Sequence, residues 1–280
     1  MKNRKLETEM LEAYETYLRD DEKSKATREK YVRDVKHFVE FAKDSEIDKA
    51  LLLDYKAELE KDYAITSANS MIAAVNSFLR YAGWHELCIK QFKIQKDAYS
   101  PQEKELSQAE FHALIKTAEK NNKERLSLVI QTICGTGIRV SELQYLTVEA
   151  VRKGEATVSC KGKTRKIFVV SKLQKKLLAY AKRSNIESGM LFITKSGKPL
   201  DRTNIWREMK KLCELAGIAA EKVFPHNLRH LFARTFYGIE KDIAKLADIL
   251  GHSNINTTRI YIMTTFAEHK RKMESMRLII

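Results

Sequence analysis

Apolar positions recur at helical spacing along most of the chain, and that spacing sets the expected elements. Between Ser24 and Lys43, Tyr31, Val35, Phe38, Val39 and Ala42 fall on one stripe, with Arg28, Lys30, Arg33 and Lys36 interleaved on other faces. Between Thr66 and Ala82 a second stripe, Met71, Ile72, Val75, Phe78, Leu79 and Ala82, predicts a buried helix face, with Gly83 as its stop. Stretches 5–19 and 47–60 are weaker but also helical in pattern. Together they predict an all-helical unit over residues 1–96. Residues 97–105, with Pro101, carry no apolar period and are expected to be a linker. Ser107 and Glu110 then have capping-box spacing ahead of Phe111, Leu114 and Ile115, opening a second domain over 106–280.

Helical spacing continues to about Leu146, where Gly135 and Gly137 permit a tight turn before a helix carrying Arg139 in its first turns. The period then changes. Ala156–Cys160 and Lys166–Val170 read as strands of a β-hairpin whose tip is Lys161-Gly162-Lys163-Thr164. Helix returns at Lys172–Arg183, Asn204–Ala216, Asn227–Tyr237, Lys241–Leu250 and Asn256–Ile262. The expected fold class is mainly α with a small β-hairpin: a helical domain followed by a mixed α/β domain.

Charge changes this picture. The 280 residues hold 51 Lys+Arg against 37 Asp+Glu, a net charge of +14. The first hundred hold 18 against 19, and the remainder 33 against 18, so the excess lies in the second domain. A polyanion is the expected partner, nucleic acid first and an anionic membrane surface second. The 44% hydrophobic content excludes a disordered chain, and 10 Gly with 3 Pro exclude collagen-like sequence. Cys88, Cys134, Cys160 and Cys213 lack CxxC spacing, which argues against zinc and a disulfide framework. Neither a signal peptide nor an 18-residue apolar span is recognisable, so the expected compartment is the cytoplasm.

Five stretches carry polar groups that packing does not require. Arg139 can hold a phosphate through two parallel hydrogen bonds, with Glu142 three residues on to orient it. At the hairpin tip, with Lys161, Lys163, Arg165 and Lys166, a lysine can protonate a leaving alkoxide. His226 and Arg229 share a helix face beginning just after Pro225; His230 reads as a structural histidine. His252 follows Gly251 at a helix end, and Tyr261 follows nine residues later. Singly, each has an ordinary reading as a salt bridge, solvated turn, helix cap or half-buried aromatic.

In this order and spacing, however, GTGIRVSEL, HNLRH and LGHSNINTTRIY resemble the tyrosine recombinase family of phage-integrase-like and Xer-like enzymes, over essentially the whole chain. The resemblance implies a SAM-like core-binding DNA-binding domain (1–96) and a catalytic domain (106–280) forming a C-shaped clamp on double-stranded DNA. It also implies cleavage and rejoining of DNA through a covalent 3′-phosphotyrosyl intermediate. Arg139 and Arg229 would clamp the scissile phosphate and Lys161 would be the general acid, with Lys163 the alternative. His226 would assist proton transfer, His252 would bond a phosphate oxygen, Tyr261 would be the nucleophile and Glu142 the supporting acid. Neither cofactor nor metal is implied. A tail with Phe266, Met273, Met276, Ile279 and Ile280 would dock on a neighbour in a synaptic tetramer, with accessory DNA-bending proteins as possible partners. Arg28, Lys30, Arg33, Lys36, Lys163 and Arg165 are expected to touch DNA.

Two other readings stay open on sequence. One is a helix-turn-helix regulator using Asp242–Thr258; the other is a type IB topoisomerase with the same chemistry. With no recognisable arm-binding domain ahead of the helical unit, a simple Xer-like or short mobile-element enzyme is expected, active at the nucleoid.

Overall fold

Side-chain caps set several helix starts. In the computed structural model, which describes residues 4, 8–43, 45–94, 105–160, 163–194, 196–262 and 273–276, the Ser24 hydroxyl accepts from Thr27 N and the Asp48 carboxylate from Leu51 N. Each such cap is worth about 1 kcal/mol. The chain divides into two compact units, Met1–Lys96 and Asp97–Ile280.

The first unit contains α1 (Thr8–Asp20), α2 (Lys25–Ala42), α3 (Lys49–Asp62) and α4 (Ile65–Tyr81). The apolar stripes become two adjoining cores. Phe38, Leu52, Tyr55, Leu59, Ile72 and Leu79 form one; Tyr14, Leu18, Val35, Ala74 and Phe78 form the other. Two asparagines on α4 then fix the chain's exit. Asn76 exchanges hydrogen bonds with the backbone of Ile89, and Asn69 with that of Phe92. Each amide mimics a strand neighbour and satisfies backbone groups that would otherwise lose water.

The first helix of the second unit starts at the capping box: Ser107 accepts from Glu110 N, and the Glu110 carboxylate accepts from Ser107 N. Helices α5 (Gln108–Lys120), α6 (Glu124–Thr136) and α7 (Val148–Lys153) precede β1 (Glu155–Cys160) and β2 (Lys163–Phe168). Then come α8 (Ser171–Arg183), α9 (Arg202–Ala216), α10 (Pro225–Glu240), α11 (Ile243–Leu250) and α12 (Ile255–Arg259). Helix α6 packs on α10 across a core that includes Val129, Ile133, Leu177, Met209 and Leu228. Of the expected linker, only Glu105 is among the described residues.

Three expected boundaries are corrected. Gly135 lies inside α6, and Gly137 ends that helix in the left-handed region (φ 64°). A Cβ at Gly137 would stand 2.6 Å from Phe232, so glycine is required there. Arg139 is therefore in no α-helix; it is extended and precedes a 3₁₀ turn, Val140–Tyr145. The second strand starts at Lys163, not Lys166, because Cys160 pairs with Lys163 and Val158 with Arg165. Finally, α12 stops after five residues, and a 3₁₀ turn, Ile260–Ile262, carries Tyr261.

Candidate active site

Helix ends and turns of the second unit bring the sequence-predicted residues to one place. Arg139, Ser141, Phe224, His226 and Arg229 line a cleft of about 670 Å³. Pro225 occupies the first turn of α10, where its missing N–H costs nothing, so His226 opens the helix and Arg229 follows one turn later.

Arg229 is 2% exposed. Its Nη1 donates to Gly137 O, its Nη2 donates to Leu250 O at 2.6 Å, and Nη2 lies 3.1 Å from His252 Nε2. Its Nε meets no acceptor among the described residues. Burial first, and the neighbouring Arg139 next, push its pKa down to about 10, so it stays a cation at neutral pH. Glu142, 1% exposed, accepts from Arg139 N at 2.9 Å and from Arg139 Nη1 at 3.0 Å. The expected orienting contact is thus present, built on a 3₁₀ turn instead of a helix face.

His252 Nδ1 lies 2.9 Å from the buried Thr258 hydroxyl. Because Arg229 Nη2 can only donate, His252 Nε2 accepts and its proton sits on Nδ1. Loss of water, then the charges of Arg229, Arg139 and Arg165, hold His252 down at about 4, the neutral form.

Tyr261 is 4% exposed and packs with Ala233, Leu246 and Leu250. Its hydroxyl is 3.4 Å from His226 Nε2 and 3.5 Å from Nδ1. The residue His226 is exposed at the cleft rim, yet its ring has lost enough water, beside Arg229 and Arg139, to lower its pKa. His230 was set aside on sequence, but its ring stacks on Tyr261 with centroids 4.1 Å apart and planes at 27°. Burial keeps it neutral, its pKa down at about 4. Three imidazoles thus surround the phenol.

Sequence reasoning also passed over Arg202, Thr203 and Trp206, which form another wall of the cleft from the start of α9. The Asp201 cap on Thr203 N was the available signal for that helix start. Of the hairpin cations, Lys161 lies outside the described residues, as does the Lys163 side chain. Lys166 pairs with Glu155, and Arg165 turns inward to Glu142 at 2.6 Å and Ile249 O at 2.8 Å. In the first unit Lys30 and Arg33 both pair with the buried Asp34 and line a groove with His37, Tyr63 and Ser70; Lys36 is exposed and Arg28 half-buried.

Known proteins share both halves of this arrangement. Residues 104–268, more than half of the chain, match the Phage integrase family, and residues 11–86 match the phage integrase N-terminal SAM-like domain. The chain belongs to the phage integrase family of tyrosine recombinases. It is 32% identical to tyrosine recombinase XerA of Pyrococcus furiosus, over 100% of this chain and 98% of that protein. Over 72% of this chain and 73% of the relative, it is 28% identical to XerD of Haemophilus ducreyi. The crystal structure of a XerA recombinase aligns at TM-score 0.55 and 25% identity, over 97% of this chain and 99% of that one. A lambda integrase dimer bound to a COC′ core site shares the fold, at TM-score 0.74 and 18% identity, over 91% and 94% of the two chains. As a member of this family the chain is a site-specific DNA recombinase, an enzyme that cuts and rejoins DNA strands. No helix among its described residues is long and apolar enough to cross a membrane.

Proposed function

We propose that Tyr261 is the nucleophile of this recombinase and that Arg139, Arg229, His252 and Lys161 serve the scissile phosphate. The observation that carries the reading is the contact chain that clusters the Tyr261 hydroxyl, His226, His252 and Arg229 beside the cleft. Attack on a phosphodiester builds negative charge on the nonbridging oxygens. Two guanidiniums fixed before substrate arrives stabilise that charge, each such donor being worth about 10²–10³ in rate. Arg229 has its Nε left over, and Arg139 offers the guanidinium edge that Glu142 does not hold. A protonated phenol is a weak nucleophile, and neutral His226 can take its proton. As the Tyr261 O–P bond forms, the bond from phosphorus to the 5′ oxygen breaks. That oxygen receives a proton from Lys161, leaving a 3′-phosphotyrosyl ester and a 5′ hydroxyl. The ester conserves the bond, so the reverse attack reseals the strand. No metal or organic cofactor enters these steps. Phosphate charge near His252 would favour its protonated, donating form.

The first unit would grip the duplex through Arg28, Lys30, Arg33 and Lys36 of α2, and the enzyme would act at the nucleoid. The synaptic partner would be a second copy. The exposed Met273 and Met276 belong to a tail whose apolar stripe suits the groove lined by Phe111, Ile115, Val170, Leu231, Phe236 and Ile239. Ile239, 82% exposed, stands at that groove. Ile239→Glu should leave single-site binding intact and weaken assembly of two sites in a gel-shift assay.

The deciding experiment uses a duplex chosen by the protein from a random-sequence library, then nicked beside the cut so that the short product strand escapes. The wild type should leave an SDS-stable protein–DNA adduct, and Tyr261→Phe none. A wild type without adduct, or a Tyr261→Phe protein that still forms one, overturns the assignment. Relaxation of an unselected supercoiled plasmid would favour the topoisomerase reading instead.

A further inference from the structure

Arg165 lies on β2 opposite Val158, and Ile167 opposite Ala156. Val158 and Ile167 are 1% and 2% exposed, so strand alternation puts Arg165 on the face of the hairpin that packs into the domain. Its guanidinium spans two parts of the site. Nη2 donates to Glu142 Oε2, the oxygen that also accepts from Arg139 N. Nη1 donates to Ile249 O in the last turn of α11. The next carbonyl along, Leu250 O, is the one that holds Arg229. Two arginines from different elements therefore grip consecutive carbonyls at the end of the helix that leads into His252.

The stem of Arg165 fits the backbone it crosses. Gly251 is left-handed (φ 65°), and a Cβ there would stand 2.4 Å from Arg165 Cδ. The arginine side chain is 11% exposed and that of Glu142 2%, so this bridge is desolvated. A surface cation tracking DNA phosphates would instead keep its guanidinium in water.

We infer that Arg165 is a positioning residue: it ties the β-hairpin to Glu142–Arg139 and to the Leu250–His252 corner, making hairpin seating a condition for assembly of the phosphate site. This rests on the catalytic reading above, and it replaces the expectation that Arg165 contacts DNA.

The test compares the wild type, Arg165→Gln and Arg165→Lys on the same selected duplex, wild-type adduct formation being the control for the catalytic reading. Single-turnover adduct formation at saturating DNA should fall by about 10- to 100-fold in Arg165→Gln, with a smaller loss in Arg165→Lys. The dissociation constant should stay within about threefold, and the slope of log affinity against log salt should not change. Combined with Glu142→Gln, the losses should be markedly less than multiplicative, because both act through one bridge. A DNA contact gives the reverse result: weaker binding, a salt slope smaller by about one, and an unchanged cleavage rate at saturation. That result, or multiplicative losses in the double variant, overturns the proposal. If Arg165→Gln does not fold, Arg165→Lys decides alone, and an unimpaired cleavage rate in it overturns the proposal.

Discussion

Lys30 and Arg33 on α2, and Arg165 and Arg229 in the second unit, are all cations held by partners from their own chain. The partners differ in kind. On α2 one carboxylate, Asp34, serves two flexible side chains, and Arg33 remains 74% exposed. In the second unit, backbone carbonyls and a buried glutamate hold guanidiniums that water barely reaches. In the first arrangement the exposed Arg33 can swing to a phosphate while Lys30 still neutralises the buried Asp34. The second fixes each charge on folding. Net charge counts both alike; under the proposed mechanism only the second arrangement preorganises charge for a transition state.

The sharpest way to break this contrast is Arg229→Lys. An ammonium cannot reproduce the fork on Gly137 O and Leu250 O. Adduct formation should fall about 10²–10³-fold while DNA affinity changes little, measured by quench and gel shift. Thermal melting should also show a loss of about 1–3 kcal/mol, from the carbonyl left unpaired. His230 comes next. His230→Ala should slow cleavage about tenfold, and His230→Phe, which keeps a flat ring against Tyr261, should recover most of it. In the first unit the signature inverts. Lys30→Ala and Arg33→Ala should each weaken binding several-fold and lower the salt slope by about one, with cleavage at saturation unchanged.

A further effect is on pH. His230 and His252 both have folded pKa values near 4, below the unfolded value of about 6.5. The unfolded chain therefore binds more protons between those limits. Their contribution to stability is fully present above about pH 6.5 and is lost as pH falls toward 4. The melting temperature should drop between pH 7 and 5, and less steeply in His230→Phe.

Much of this was legible because it is local. Helix periodicity, the Ser107 cap and the His226–Arg229 spacing each depend on a few adjacent residues, and the structure keeps them. What escaped depends on pairing across the chain. Reading Lys166–Val170 as the strand hid the inward phase of Arg165, although alternation with Ile167 and Val169 was there to be seen. His230 looked structural because nothing local announces a ring 31 positions away. Arg139 was given a helix because two glycines can open one, whereas Gly137 closes the helix before it. Glu142 was found through its three-residue spacing, but its second arginine was not, since that bond joins positions 23 apart.

Arg229 draws its acceptors from the C-terminal ends of two helices, Gly137 closing α6 and Leu250 closing α11. An arginine side chain carries about 2 kcal/mol of rotamer entropy, and here that freedom is surrendered on folding, before any DNA arrives. Helix ends are also the first parts of a helix to fray. Warming that loosens either end returns the side chain its freedom, so cleavage followed up the melting curve should fade before the protein as a whole unfolds.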